Sequence, residues 1–288
     1  MELPLKTNYS AYLLQFHSRL ANNKVMDTIG PSAEFVGFGV VAAVFGLFAL
    51  IEFVSPKRTP LRGRRWVTNL LLFGIDTLLV RLAVPLLMVG TAALAAERGW
   101  GLFNWVPLPP WAGVITAIVA LDLALYLQHW ATHRVPLLWR LHKVHHADPS
   151  FDVTTAARFH PLEIGLSMLF KMAVVAMLGL PVLGVFLFEV VFNIATLFTH
   201  ANFSLPGGVE RPFRSVLVTP DMHRIHHSSF RRETDSNYGT LLSGWDRLFG
   251  TYVGDAAKGQ DGIEIGLQAY QDERPHRLGW SLLLPFRD

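Results

Sequence analysis

Residues 109–133 read PPWAGVITAIVALDLALYLQHWATH, a long apolar run that leads straight into a histidine pair, His129 and His133. A helix needs about 20 mostly apolar residues to cross about 30 Å of hydrocarbon. The stretch from about Pro109 to Gln128 therefore reads as a membrane helix, with Asp122 near its end. Working outward, Phe35–Val54 has the same length and character, with Glu52 near its end. Trp66–Leu94 is long enough to span, although Asp76 and Arg81 interrupt it. Leu162–Thr199 is too long for one ordinary span, and Gly179-Leu180-Pro181 near its middle predicts two helices turned back on each other. Lys171 in the first of these would snorkel or line a cavity. Leu278–Phe286 is too short to cross and is expected at the interface. The expected fold is all-α. Four to five apolar helices form an integral membrane bundle, the 162–199 pair either spanning or re-entrant, under a histidine-rich helical cap.

Composition agrees with a bilayer setting. Of 288 residues, 51% are hydrophobic and 16% charged, with a mean hydropathy of +0.33. Soluble domains carry about 25% charged residues. The chain has no cysteine, which excludes disulfides, iron–sulfur clusters and thiolate zinc sites. Its net charge of +3 is modest, and the bases sit beside apolar spans rather than along a nucleic-acid-binding stripe. The first 33 residues hold Lys6, Arg19 and Lys24 without a compact apolar stretch, so no cleavable signal peptide is expected. The expected layout is an N-terminal segment at 1–34, membrane helices at 35–128, a histidine-rich region at 129–255 that includes the 162–199 hairpin, and a tail at 256–288.

Charge sets the expected orientation. Loop 55–65 carries Lys57, Arg58, Arg62, Arg64 and Arg65, whereas loop 95–108 carries only Arg98. The positive-inside tendency puts the first loop in the cytoplasm. Counting crossings from there, residues 129–161 and the chain after 200 emerge on that same side, and both are rich in Arg and Lys.

Ten of the twelve histidines fall between positions 129 and 227. His129-Trp-Ala-Thr-His133 is an HxxxH pair, and its i,i+4 spacing puts both rings on one helical face. His142-Lys-Val-His145-His146 and His223-Arg-Ile-His226-His227 are both HxxHH, so one turn presents two or three imidazoles. Single histidines follow at His160 and His200. An isolated HxxxH is usually accidental. Eight such rings on one membrane face would repel if charged, and a bound cation is the natural compensation. Neutral imidazole suits zinc, copper, iron and nickel about equally. A zinc-protease signature needs Glu where Trp130 stands, and the Glu-x-x-His motifs of ferritin-like sites are absent. The number of imidazoles suffices for two ions with open positions, which favours oxygen chemistry on a hydrocarbon over hydrolysis. A metal-dependent membrane hydrolase and a metal carrier are the rival classes.

The order HxxxH, HxxHH, single His, HxxHH resembles the fatty acid hydroxylase and sterol desaturase superfamily. So do Phe159-His-Pro-Leu-Glu163, Thr219-Pro-Asp-Met-His-Arg-Ile-His-His227, Asn237-Tyr-Gly-Thr240 and Trp245-Asp-Arg-Leu-Phe-Gly-Thr251. The resemblance covers roughly residues 115–255. It implies an enzyme of the endoplasmic reticulum or a bacterial inner membrane, with its site facing the cytoplasm. The implied activity is oxygen-dependent hydroxylation of a membrane lipid such as a fatty acyl chain or sterol, or desaturation on the same site. The implied cofactors are two iron ions, for which zinc can substitute in a purified sample, together with O2. Electrons would come from a separate donor of ferredoxin or cytochrome b5 type. The implied metal ligands are His129, His133, His142, His145, His146, His200, His223, His226 and His227. Leu205-Pro-Gly-Gly208 lacks the histidine of a fused cytochrome b5 motif, so no such domain is expected. Thr196 and Ser204 stand where some members carry a second histidine four residues from the single one. His160 is then a candidate tenth ligand or a structural corner.

Supporting residues follow from helical stripes. Asp122, Tyr126, His129 and His133 share one face, so Asp122 could orient a ligand ring or only join helices. Asn237 is a further candidate behind the ligands. Glu189, Asn193, Thr196 and His200 form a second stripe that could line a substrate channel, unless Glu189 pairs with Lys171. Trp245, Phe249 and Tyr252 read as packing for the cap.

Overall fold

The computed structural model describes residues 31–83 and 87–287, and among these all regular structure is helical. Of the expected N-terminal segment, 1–30 lies outside the described residues and 31–34 opens the first helix. The long helices are α1 (Pro31–Val54), α2 (Arg64–Ala83), α3 (Leu87–Arg98), with the single turn α4 (Leu102–Trp105), and α5 (Pro110–Arg134). After α6 (Pro136–His146) come α7 (Pro161–Leu178) and α8 (Val182–Thr199). Five segments are long and apolar enough to cross a membrane: Phe35–Val54, Arg64–Trp105, Pro110–Arg134, Pro161–Leu178 and Val182–Thr199. In the run at 66–94 the described helices are α2, to Ala83, and α3, from Leu87, with 84–86 outside the described residues.

Polarity is arranged inside out. Phe38, Leu50, Leu78, Leu82, Trp111 and Leu169 are exposed, whereas Asn69, Asp76 and Asp122 are buried. A lipid surround explains both observations, since it solvates apolar faces and leaves polar groups to find partners within the protein. The core of the bundle is Met88, Leu121, Val175, Leu180, Val185 and Phe188. It forms where α5 packs on α8 and α3 packs on both α7 and α8. Gly184 makes the α5–α8 approach possible, because a Cβ there would sit 2.7 Å from that of Ala117. The expected turn in 162–199 is present: Gly179, in the left-handed region at φ 65°, ends α7, and Pro181 caps α8.

The helix ends sort into two sets. Gly101 abuts Gly179 on one side. On the other, the Glu52 carboxylate accepts from the backbone of Val153 and Asn202, and Lys57 N donates to Asn202 O. Loop 55–63, residues 147–160 and the chain after 200 therefore share one end of the bundle. The final helices α9 (Gly207–Arg214), α10 (Pro220–His226), α11 (Arg231–Thr234), α12 (Gly244–Leu248), α13 (Gly259–Gly262) and α14 (Leu278–Leu283) build a cap there. The segment 278–286 does more than lie at an interface. Trp280 and Leu284 are wedged against Leu72, Val144 and Ala147, and of the segment's large apolar side chains only Leu283 and Phe286 are exposed.

Candidate metal centre

Prolines set the site's geometry. Pro136 opens α6 and forces Val135 to be extended, so the chain breaks between the HxxxH and first HxxHH motifs. The boundary expected at 128/129 falls inside α5, which carries both His129 and His133 on its last turns. Pro220 starts α10, whose Thr219 cap accepts from Met222 N, and His227 ends it. His200 terminates α8.

These elements bring the nine histidines implied by the motifs into two groups. His129, His133, His142, His146 and His226 have one ring nitrogen each within 4.8 Å of one another, and so do His145, His200, His223 and His227. Each HxxHH motif is divided between them. In α6 the i,i+4 pair His142/His146 joins the first group and His145 the second. In α10 the i,i+4 pair His223/His227 joins the second and His226 the first. The groups abut, with the rings of His146 and His227 stacked at 4.6 Å. His129 is half-buried and the other eight are buried.

Hydrogen bonds fix the tautomers. Nδ1–H of His129 donates to Tyr238 O at 2.7 Å, that of His226 to Ser236 O at 2.7 Å, and that of His200 to Thr196 O at 2.8 Å. His145 donates likewise to Arg158 O at 3.1 Å, and His142 to Glu163 Oε1 at 2.6 Å. Asp235 faces Nδ1 of His133 at 3.3 Å. A neutral ring that donates from Nδ1 has a bare lone pair at Nε2. Nε2 of His129 and His142 nevertheless face each other at 3.2 Å, as do those of His145 and His200, while His223 and His200 are 3.1 Å apart. Nε2 of His133, His146 and His226, and both ring nitrogens of His227, are buried without a partner. Proton addition does not relieve this. Burial, reinforced by neighbouring rings, holds His145, His146, His223 and His227 well below the usual imidazole pKa. Burial likewise lowers His200 to about 4 and His226 to about 3. Converging lone pairs in a dry pocket fit metal cations, one per group, with the Nδ1 atoms of His129, His133, His142, His145, His200 and His226 turned to carbonyls and carboxylates.

The remaining candidates are placed differently. His160 joins neither group: its Nδ1 caps α7 by accepting from Leu162 N, and its Nε2–H donates to Leu282 O. Both of its nitrogens are spent on backbone, as a structural corner would have them. Asp122 does not orient a ligand ring. It accepts from Leu242 N and Trp245 Nε1, because seven residues of helix put it about 10 Å along α5 from His129. Asn237, at φ 51°, ties Met222 O to the backbone of Val253 and so braces the loop beside His223. Asn193 and Thr196 bond carbonyls of their own helix, and Glu189 lies within electrostatic reach of Lys171. Phe249 stacks on Tyr126.

Motif reading missed the residues that hold the ligands. Glu163, Asp235, Tyr238 and Ser236 carry acceptors, three of them backbone or loop groups with no spacing signal. It also missed Arg65 and Arg158, both fully buried. Arg65 binds Asp148 and Asp152, and its third nitrogen donates to Thr155 Oγ1 at 2.9 Å. Arg158 donates to Val144 O, Asn69 Oδ1 and Ser281 Oγ while its own carbonyl holds His145. Burial alone would raise the Asp148 pKa, but Arg65 and Arg158 hold it below the usual carboxylate range.

Comparison with known proteins agrees with this geometry. The fatty acid hydroxylase family profile matches residues 114–251, which contain all nine clustered histidines. An ornithine lipid hydroxylase of Rhizobium tropici is 35% identical over 48% of this chain and 41% of its own length. An alkylglycerol monooxygenase of Danio rerio is 31% identical over 61% of this chain and 39% of its own. A cholesterol 25-hydroxylase-like protein of Danio rerio is 32% identical over 46% and 53%. The chain thus spans about two fifths of the first two relatives' length and about half of the third. No solved structure matches significantly. With its five apolar helices the protein is an integral membrane protein, and residues 114–251 match the fatty acid hydroxylase family profile.

Proposed function

We propose that the protein hydroxylates a membrane lipid with dioxygen at a two-iron centre. The reading rests on one observation above all: two abutting groups of imidazoles, eight of the nine buried, whose Nε2 atoms face each other within each group. His129, His133, His142, His146 and His226 would hold one ion, and His145, His200, His223 and His227 the other. Bound iron would supply redox chemistry able to activate dioxygen and attack a C–H bond.

The protein's own residues do the rest. Glu163, Asp235 and the carbonyls of Tyr238, Ser236, Arg158 and Thr196 lock the tautomer and direction of six of the nine rings. Phe159, stacked on His145 at 4.3 Å, and Phe151, stacked on His200 at 5.7 Å, keep water off the second group. His129 and His133 lie on the last turns of a 25-residue helix about 37 Å long, so the site sits where bilayer hydrocarbon meets the polar zone. A bilayer lipid presents the carbons nearest its headgroup at that depth, and one of these is the proposed site of oxidation. Named activities of the relatives, on an ornithine lipid and on alkylglycerol, support a polar lipid as substrate. The basic loop 55–65 shares the site's end of the bundle, which supports a cytoplasmic site.

The test is direct. Protein in lipid nanodiscs, loaded with iron and given a reductant, is incubated with membrane lipid extracts in air and without oxygen. A lipid that gains the mass of one oxygen atom only in air supports the proposal; equal turnover without oxygen sinks it.

A further inference from the structure

One aromatic ring links the buried histidines to the surface. Trp139 is half-buried on α6, and its ring lies 5.0 Å from that of His133 and 5.5 Å from that of His146, both in the first group. The guanidinium of Arg231 covers the indole at 4.8 Å. Arg231 also bonds Asp235 at 2.7 Å, the carboxylate that faces His133 Nδ1. Arg134, Arg231 and Arg232 are all exposed. Arg134 follows His133 directly, and Arg134 and Arg231 both act electrostatically on Tyr238, whose ring touches His133. The acids of the same segment are turned away from solvent: Glu233 is buried and bonded to Ala257 N, and Asp235 is occupied by Arg231. The other basic stretch, around Lys57 and Arg58, is spent on Asp261, Asn202 and the Gln260 carbonyl, and among the described residues no ring contact joins it to a histidine.

We infer that the Trp139 face, rimmed by Arg134, Arg231 and Arg232, is where an acidic one-electron carrier protein docks and passes electrons to the first histidine group. The inference rests on the reading of the site as a dioxygen-consuming metal centre. Hydroxylation of C–H by dioxygen breaks that bond and the O–O bond, and puts one oxygen atom into the alcohol and the other into water. It consumes two protons and two electrons, which a reduced carrier delivers singly and is oxidised in doing so. The positive rim steers and orients an acidic partner. The indole supplies a continuous ring contact from that surface to His133 and His146.

The test separates docking from chemistry. A reduced acidic [2Fe–2S] ferredoxin is titrated against the purified protein in nanodiscs of neutral lipid, and its Kd is measured as salt is raised. The double variant Arg134→Glu/Arg232→Glu should raise Kd at least tenfold and flatten its salt dependence. Trp139→Leu should leave Kd unchanged but slow the electron transfer seen in ferredoxin absorbance. With dithionite in place of ferredoxin, oxygen-dependent turnover of the double variant should match the unaltered protein. An unchanged Kd and salt slope overturns the inference. Equal loss with both reductants overturns it too, because the arginines would then serve the metal site. So does weaker binding to anionic vesicles with ferredoxin affinity intact, which would assign the arginines to the membrane surface. Absence of dithionite-driven turnover in the unaltered protein would instead sink the proposed hydroxylation, leaving the binding result to stand on its own.

Discussion

Where α7 turns into α8, the chain is held by backbone contact: Gly101, at φ 92°, leaves so little room that a Cβ would lie 2.1 Å from Gly179 N. At the opposite end of the same bundle, Arg65, Arg158, Asp148 and Asp152 are buried together and the histidines converge above them. The first end spends apolar surface and small residues. The second spends buried charge, which is costly unless every partner is in place. Such a network gives little net stability for its cost, but it fixes direction: Arg158 carries the carbonyl that aims His145. The difference suggests that one end exists to hold the fold and the other to hold ligands at fixed angles.

Substitutions can break that division. The largest effect is expected for His145→Ala and His226→Ala, one from each group. Each should lower metal content and oxygen-dependent product by more than about a hundredfold, the upper range for losing even an outer partner of a ligand. Metal analysis with lipid mass spectrometry checks both, and full activity in either variant would count against a two-ion centre. Arg65→Met should come next. It leaves Asp148 and Asp152 buried without their cation, at a cost of about 3–5 kcal/mol, and should lower both thermal stability and metal content. Gly101→Ala should destabilise by about 1–3 kcal/mol through backbone strain but leave metal per folded molecule unchanged. If Gly101→Ala lost metal as Arg65→Met does, the two ends would not be separable.

Smaller effects sharpen the picture within the site. Glu163→Gln keeps the shape but weakens the acceptor for His142 Nδ1, so metal affinity should fall about 10- to 100-fold. Competition with a chelator of known affinity would measure it. The last expectation concerns pH. His200 at about 4 and His226 at about 3 are depressed in the folded, metal-free protein relative to an unfolded value of about 6.5. Between those limits the unfolded chain binds more protons than the folded one, so stability falls as pH drops. The melting temperature of metal-free protein should be level above about pH 6.5 and decline steadily toward pH 4. A flat profile across that window would mean that the rings are not buried as neutral groups.

Much of the site was legible because helices have one period. HxxxH and HxxHH put rings on neighbouring faces, and the apolar runs at 35–54, 110–128 and 162–199 could belong only to helices in a low-polarity surround. Spacing did not reveal how each HxxHH divides. On an isolated helix i, i+3 and i+4 look like one cluster, and only the crossing of α6, α10 and the ends of α5 and α8 sends His145 one way and His142 the other. For Asp122 and His160 the sequence left two readings open for the same reason. Their positions in sequence suit a ligand partner, but about 10 Å of helix and a capped α7 assign them to other bonds.

The sequence by itself determined the helical membrane bundle, the hairpin at Gly179–Pro181 and the eight motif histidines, since composition and local period are properties of neighbouring residues, while His200 was added by the family resemblance. Only the tertiary structure decided the two-group partition, the carbonyls and carboxylates behind six of the nine rings, and the buried Arg65–Asp148–Asp152 and Arg158 network. Those contacts join residues far apart in the chain, where hydrogen-bond geometry is set by packing and leaves no periodic trace.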